Sequence, residues 1–176
     1  MTAPDRPLLF LDVDGPLIPF GDPARVPLTD DDNPLLSRLD PTVGARLLAL
    51  PCDLVWATTW QHEANVTVAP RLGLPLLPVV SWPEDDDTPA PRGLHWKTRR
   101  LSEWAGPRPF IWLDDEIGAP DRTWVAVAHP APALLYRVDP AKGLTEADFE
   151  RVGEWLDTVP AADGPGTPCP GGSPRP

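Results

Sequence analysis

Leu8-Leu9-Phe10-Leu11-Asp12-Val13-Asp14-Gly15 is the stretch that decides the fold class of this chain. An apolar run bounded by Pro7 and Asp12 suits a central strand covered on both faces, and it breaks abruptly into two carboxylates and a glycine. The arrangement recurs twice: Leu54 to Ala57 leads into Thr58, and Phe110 to Leu113 leads into Asp114-Asp115. In a parallel α/β sheet such polar strand ends converge at the carboxyl edge, where these folds bind ligands.

The segments between these runs support a βαβ rhythm. Asp40-Pro41 reads as an N-cap followed by proline, and Val43, Leu47, Leu48 and Leu50 supply an apolar stripe, so a crossover helix precedes the strand Asp53 to Thr58. Gln61 to Leu72 reads as a helix stopped by Gly73, and Leu76 to Val80 as a third strand. A helix near His95 to Ala105 carries Lys97 in its first turn and buries Leu101 and Trp104. Phe110 to Leu113 is then the fourth strand, Thr123 to Ala128 the fifth and Leu134 to Val138 a sixth. Thr145 and Asp148 open a last helix whose apolar face is Phe149, Val152, Trp155 and Leu156. The long stretch Pro16 to Leu39 and the acidic stretch Trp82 to Gly93 read as loops.

Charge and composition limit the function classes. The chain has 176 residues, enough for one domain with a real core. Residues 1–158 form the expected domain, and the Pro- and Gly-rich stretch 159–176 reads as a disordered tail. Cys52 and Cys169 are the only cysteines, so no disulfide framework is expected. No apolar run is long enough for a signal-peptide core or a membrane span, and the expected location is cytoplasmic. The formal net charge is −11, with acidic runs at Asp30 to Asp32 and Glu84 to Asp87. That field repels long nucleic acids and anionic membranes, and the one small basic patch is Lys97, Arg99 and Arg100.

The strand-end residues share one chemistry. Carboxylates at Asp12, Asp14, Asp114 and Asp115 can hold a hard cation through oxygen, Thr58 and Lys97 can hold phosphate oxygens, and one carboxylate is left to attack. Each residue alone has a bland reading: a threonine in a strand, a lysine on a helix, acids in a turn. Their order along the chain is what points to phosphoryl transfer. Asp121 and the acidic runs read as solvated loop residues, and His62, His95 and His129 do not make a metal set. Trp56, Trp104, Trp112, Trp124 and Trp155 fall on apolar faces, whereas Trp60, just past Thr58, is the aromatic placed to line a pocket. Gly15 permits a sharp exit from the first strand.

Asp12-Val13-Asp14-Gly15, Thr58, Lys97 and Asp114-Asp115 resemble, in order, the four signature motifs of the haloacid dehalogenase superfamily of phosphohydrolases. Trp56 to Trp60, Glu63-Ala64-Asn65, His95 to Thr98 and Trp112 to Glu116 further resemble its small, nearly capless members related to bacterial RNA-repair proteins. Pro16 departs from the threonine or small apolar residue that often follows the glycine.

The resemblance implies a three-layer, Rossmann-like fold with helices on both faces of a parallel sheet. No insertion between Thr58 and Lys97 is large enough for a lid domain. It also implies a Mg2+-dependent phosphatase. Asp12 would be the nucleophile that forms an aspartyl-phosphate, and Asp14 the acid and then the base. Thr58 and Lys97 would complete the catalytic set, with Gly15, Thr59 and Trp60 beside them at the substrate. Asp12, Asp14, Asp114 and Asp115 would form the metal site, either of the last two being the direct ligand.

Two other classes fit the same residues. A phosphorylatable, Mg2+-binding switch of the receiver type would place its phosphoacceptor on a later strand than its acidic pair, which is not the order here. A non-catalytic binding module of the same fold is the other. The substrate is open between small phosphate esters and the terminal phosphate of nucleotides or RNA ends, with no extended nucleic-acid binding expected.

Overall fold

A computed structural model of the chain describes residues 6–21, 33–82 and 93–159. The acidic runs at 30–32 and 84–87, most of the loop from Trp82 to Gly93, and the tail from 160 with Cys169 lie outside the described residues. Four strands form one sheet: β1 (Leu8–Leu11), β2 (Asp53–Trp56), β3 (Phe110–Asp114) and β4 (Ala133–Arg137). Every neighbouring pair is parallel, in the order β2-β1-β3-β4. The helices are α1 (Thr42–Ala49), α2 (Ala69–Leu72), α3 (Thr98–Ala105), α4 (Ala119–Ala128) and α5 (Glu146–Thr158). Among the described residues none is long and apolar enough to cross a membrane.

The period-2 alternation of β1 and β3 sorts their side chains into two cores. Leu9, Leu11, Ile111 and Leu113 face one way, joined by Val43 and Leu47 of α1, Leu72 of α2, and Phe149, Val152 and Leu156 of α5. Leu8, Phe10, Phe110 and Trp112 face the other way, joined by Leu101 and Ala105 of α3 and Val125 of α4. Because both faces are covered, both alternating sets must be apolar, and the strands read as unbroken hydrophobic runs. The result is the expected three-layer α/β sandwich, with no cap among the described residues.

Two strand expectations fail. Thr123 to Ala128 belongs to helix α4, although its Thr-Trp-Val-Ala-Val alternation suits a strand. β3 and β4 are adjacent and parallel, so the chain between them must cross a face of the sheet, and a helix does this while burying Asp121 and Val125 at i, i+4 spacing. Pro120 and Asp121 in its first turn are the start signals. Leu76 to Val80 is not a strand either. It touches the outer edge of β2 through a single bridge, with Trp56 N–H donating to Pro78 O at 2.9 Å and Val80 N–H to Trp56 O at 2.9 Å. Pro75 and Pro78 have no N–H to extend the ladder, and Leu76 is 83% exposed. The expected fifth strand is therefore a helix, and the expected sixth is β4.

Smaller differences are local. The predicted helix from Gln61 to Leu72 is a π-helical turn, Ala64–Val68, running into α2, which Gly73 ends with φ +67°. The predicted helix near His95 begins at Thr98, with Lys97 as its N-cap. Asp40 caps the start of α1, its carboxylate accepting from Thr42 N–H at 2.9 Å.

Gly44 on α1 is where that helix meets the end of α2: a Cβ there would overlap the carbonyl oxygen of Leu72. Gly44→Ala gains about 1 kcal/mol of helix propensity but forces two backbones apart. Overpacking costs about 1–3 kcal/mol, so the variant is expected to melt below wild type in thermal denaturation. A higher melting temperature would show that the contact yields.

Candidate active site

In the strand order β2-β1-β3-β4 the chain reverses direction of build between β1 and β3, and the carboxyl ends of those two strands frame the crevice where open α/β sheets bind ligands. Asp12 follows β1 and Asp114 closes β3. Between them lies the ammonium of Lys97, delivered by the N-cap of α3 and donating to Asp12 Oδ2 and to Asp114 Oδ2 at 2.8 Å each. The side chains of Lys97 and Asp114 are only 3% and 0% exposed. Asp12 also accepts from Val13 N–H at 2.8 Å, and Asp114 from Trp112 Nε1 at 3.2 Å and Glu116 N–H at 3.0 Å.

One ammonium against two buried carboxylates leaves this centre negative. Asp12, Asp114 and Asp115 each bring a carboxylate oxygen within 4.8 Å of the other two. That all-oxygen donor set suits a hard cation such as Mg2+ and could hold one. Burial, reinforced by neighbouring Asp114, also holds the Asp115 carboxyl above its ordinary value.

Gly15 explains how the two acidic loops come so close. It has φ +87°, and a Cβ there would lie 2.7 Å from Asp115 Cγ. Its N–H donates to Ile18 O at 3.1 Å, closing a turn that accommodates Pro16, whose carbonyl accepts from Leu144 N–H at 2.9 Å. The proline is therefore no obstacle to the loop.

Asp14 does not join the carboxylate cluster. Its Oδ2 accepts from the indole N–H of Trp60 at 3.0 Å, which fixes one side of that carboxyl. Ala57 N–H donates to Leu11 O at 2.9 Å and carries the β1/β2 register one step past the strands, which sets Ala57 level with Asp12 and Thr58 level with Val13. Thr58 is fully buried, Thr59 is exposed and Trp60 half-buried. Gln61 has φ +47°, a left-handed conformation rare outside glycine and located directly beside the site.

The sequence reading missed Asp121. Expected in solvent, it is 1% exposed and accepts from His95 N–H at 2.8 Å, Thr98 Oγ1 at 2.6 Å and Gly118 N–H at 2.8 Å. It clamps the segment bearing Lys97 to the start of α4. Reading 119–128 as a helix would have made Asp121 an acidic first-turn residue, a signal that was present. His95 accepts from Lys97 N–H through Nδ1 at 3.2 Å and meets Glu116 through Nε2 at 3.2 Å, joining the loops around the centre. His129 is far from this role, bonded to Ser102 at 3.1 Å and Arg108 O at 2.9 Å. In the basic patch Lys97 is committed inward, and Arg100 bonds Ser81 O at 3.3 Å.

Asp12 in the metal-free protein is pushed up from 3.8 to about 7, first by burial; Lys97 opposes the shift and Asp114 adds to it. For Lys97, burial pulls downward, but the Asp12 and Asp114 carboxylates outweigh it and hold the ammonium above 10.5. A carboxyl raised on folding contributes full stability below its unfolded value, and that contribution is lost as pH rises through the folded one, here from 3.8 to about 7. Carbon-13 NMR of the metal-free protein is expected to show Asp12 titrating near 7, and Lys97→Met to move the midpoint higher. A midpoint near 4 in wild type would contradict the dominance of burial.

A model of the family described as the HAD domain in Swiss Army Knife RNA repair proteins matches residues 8–149. No curated protein and no solved structure matches the chain. The match runs from the first residue of β1 into α5, taking in Asp12, Thr58, Lys97 and Asp114 with the sheet that assembles them, and the chain belongs to this family of HAD domains.

Proposed function

We propose that this protein is a Mg2+-dependent phosphatase that works through an aspartyl-phosphate on Asp12. The observation that carries the reading is the buried Asp12–Lys97–Asp114 bridge at the β1/β3 switch point, with Asp115 completing a carboxylate set open to a cation. Asp12, Asp114 and Asp115 would hold Mg2+, which supplies charge neutralisation for the phosphoryl oxygens when bound.

The steps fall to the chain's own groups. An Asp12 carboxylate oxygen attacks phosphorus while the bond to the ester oxygen breaks, and Asp14 in its acid form gives that oxygen a proton, releasing an alcohol. Asp14, now a carboxylate, takes a proton from water, whose oxygen attacks phosphorus and frees inorganic phosphate and Asp12. Trp60 holds the Asp14 carboxyl by its N–H through both steps. Thr58 and Lys97 hold phosphate oxygens, and Gly15 and Thr59 lend backbone to the same loops.

The family description, drawn from RNA repair proteins, favours a terminal phosphate on a nucleotide or RNA end as substrate. A net charge of −11 gives no pull on a long polyanion, so contact is confined to the end.

Asp12→Asn is expected to abolish turnover of phosphate esters, since the amide keeps the shape but is a poor nucleophile. Asp14→Asn should slow turnover by about 10²- to 10⁴-fold, and chelation of divalent cations should stop it, with Mg2+ restoring it. Full activity in Asp12→Asn would end the covalent mechanism. Binding of phosphate esters with no turnover by wild type would favour the binding-module reading instead.

A further inference from the structure

The described residues place one large aromatic beside the phosphoryl centre that no step above uses. Trp96 is 49% exposed, yet its chain neighbour Lys97 is buried against Asp12. The Lys97 Nζ lies 5.5 Å from the centroid of the Trp96 ring and 2.8 Å from Asp12 Oδ2, so one ammonium links the indole to the carboxylate centre.

Trp96 is also braced on two sides. His95 stacks on it with an interplanar angle of 29° at 5.6 Å, and Trp82 meets it edge-on at 4.8 Å. Both braces are tied to the site. His95 is held by Asp121 and Glu116, and the Trp82 indole N–H donates to Thr58 O at 2.9 Å. Half of the ring meets solvent while its neighbours fix its position, and fixing it in advance removes the ordering cost of a contact. Trp60, the aromatic expected to line the pocket, is already engaged through its N–H with Asp14 and packs on the core.

We propose that Trp96 is a stacking platform for the nucleobase of a phosphorylated nucleotide or strand end, one sugar removed from the phosphate held at Asp12 and Lys97. The inference deepens the phosphatase reading and rests on it for the position of the phosphate. Stacking adds affinity from a neutral π face, which the negative field of this chain does not oppose, and it tolerates any base. The site thus distinguishes a nucleotide from a bare sugar phosphate without an extended basic groove.

The test is calorimetric titration of the full chain carrying Asp12→Asn, which stops turnover, with Mg2+, against adenosine 5′-monophosphate and ribose 5-phosphate, with position 96 as in wild type, Trp96→Ala or Trp96→Phe, while phosphate release from both ligands is assayed with Asp12 intact. With Trp96 in place the chain is expected to prefer the nucleotide by about 5- to 150-fold, the equivalent of one stacked base. In Trp96→Ala that ratio should fall toward one, with Trp96→Phe between them. The ratio is the informative quantity, because losing the ring beside Lys97 can alter phosphate affinity for both ligands alike. Equal affinities with Trp96 in place, an unchanged ratio in Trp96→Ala, or no binding of either ligand would overturn the proposal. A nucleotide preference that depends on Trp96 in a protein that hydrolyses neither ligand with Asp12 intact would leave the platform standing and remove the phosphatase reading.

Discussion

The ammonium of Lys97, buried between Asp12 and Asp114, is the interaction on which the rest of this site depends. It joins three elements distant in sequence: the end of β1, the end of β3 and the start of α3. Three ionised groups taken out of water are costly, and their attraction offsets the cost only with close geometry and further donors. Val13, Trp112 and Glu116 provide those donors to the two carboxylates. Removing the lysine would strand two carboxylates in the interior, so the bridge constrains the fold as well as the chemistry.

The bridge does not neutralise what it joins. Asp115 adds a further carboxylate, and Gly15 keeps the opposing loop near enough that any side chain there would meet that acid. The excess negative charge is a poor arrangement for stability in isolation and a good one for a cation or for a reaction that draws charge out of Asp12. Burial, with Asp114 adding to it and Lys97 opposing it, also raises the Asp12 carboxyl to about 7.

Around this centre polar groups are arranged to hold loops. Asp121 fixes the segment from His95 to Thr98 onto α4, Trp60 fixes Asp14, and Trp82 fixes the Thr58 loop. The described residues have no buried side-chain nitrogen or oxygen without a partner, so these loops are held by satisfied bonds rather than by apolar packing alone. Trp96 is the exception in kind: a large ring held in place and left half in water.

The sequence by itself determined β1, β2, β3, their parallel arrangement and the order of the strand-end residues. Strands buried on both faces must be continuously apolar, and that signal needs no tertiary information. It also determined the last helix, whose Thr145 and Asp148 are joined at 2.7 Å as the spacing required. Only the tertiary structure decided that Thr123 to Ala128 is helical. Its local alternation favoured a strand, and a crossover between β3 and β4 overrode it. The same distinction separates Asp121 from the solvated acids and Trp96 from Trp60. Burial and donor contacts between segments far apart in the chain set those roles, and a linear pattern carries the period of each element but not the neighbours that folding brings to its ends.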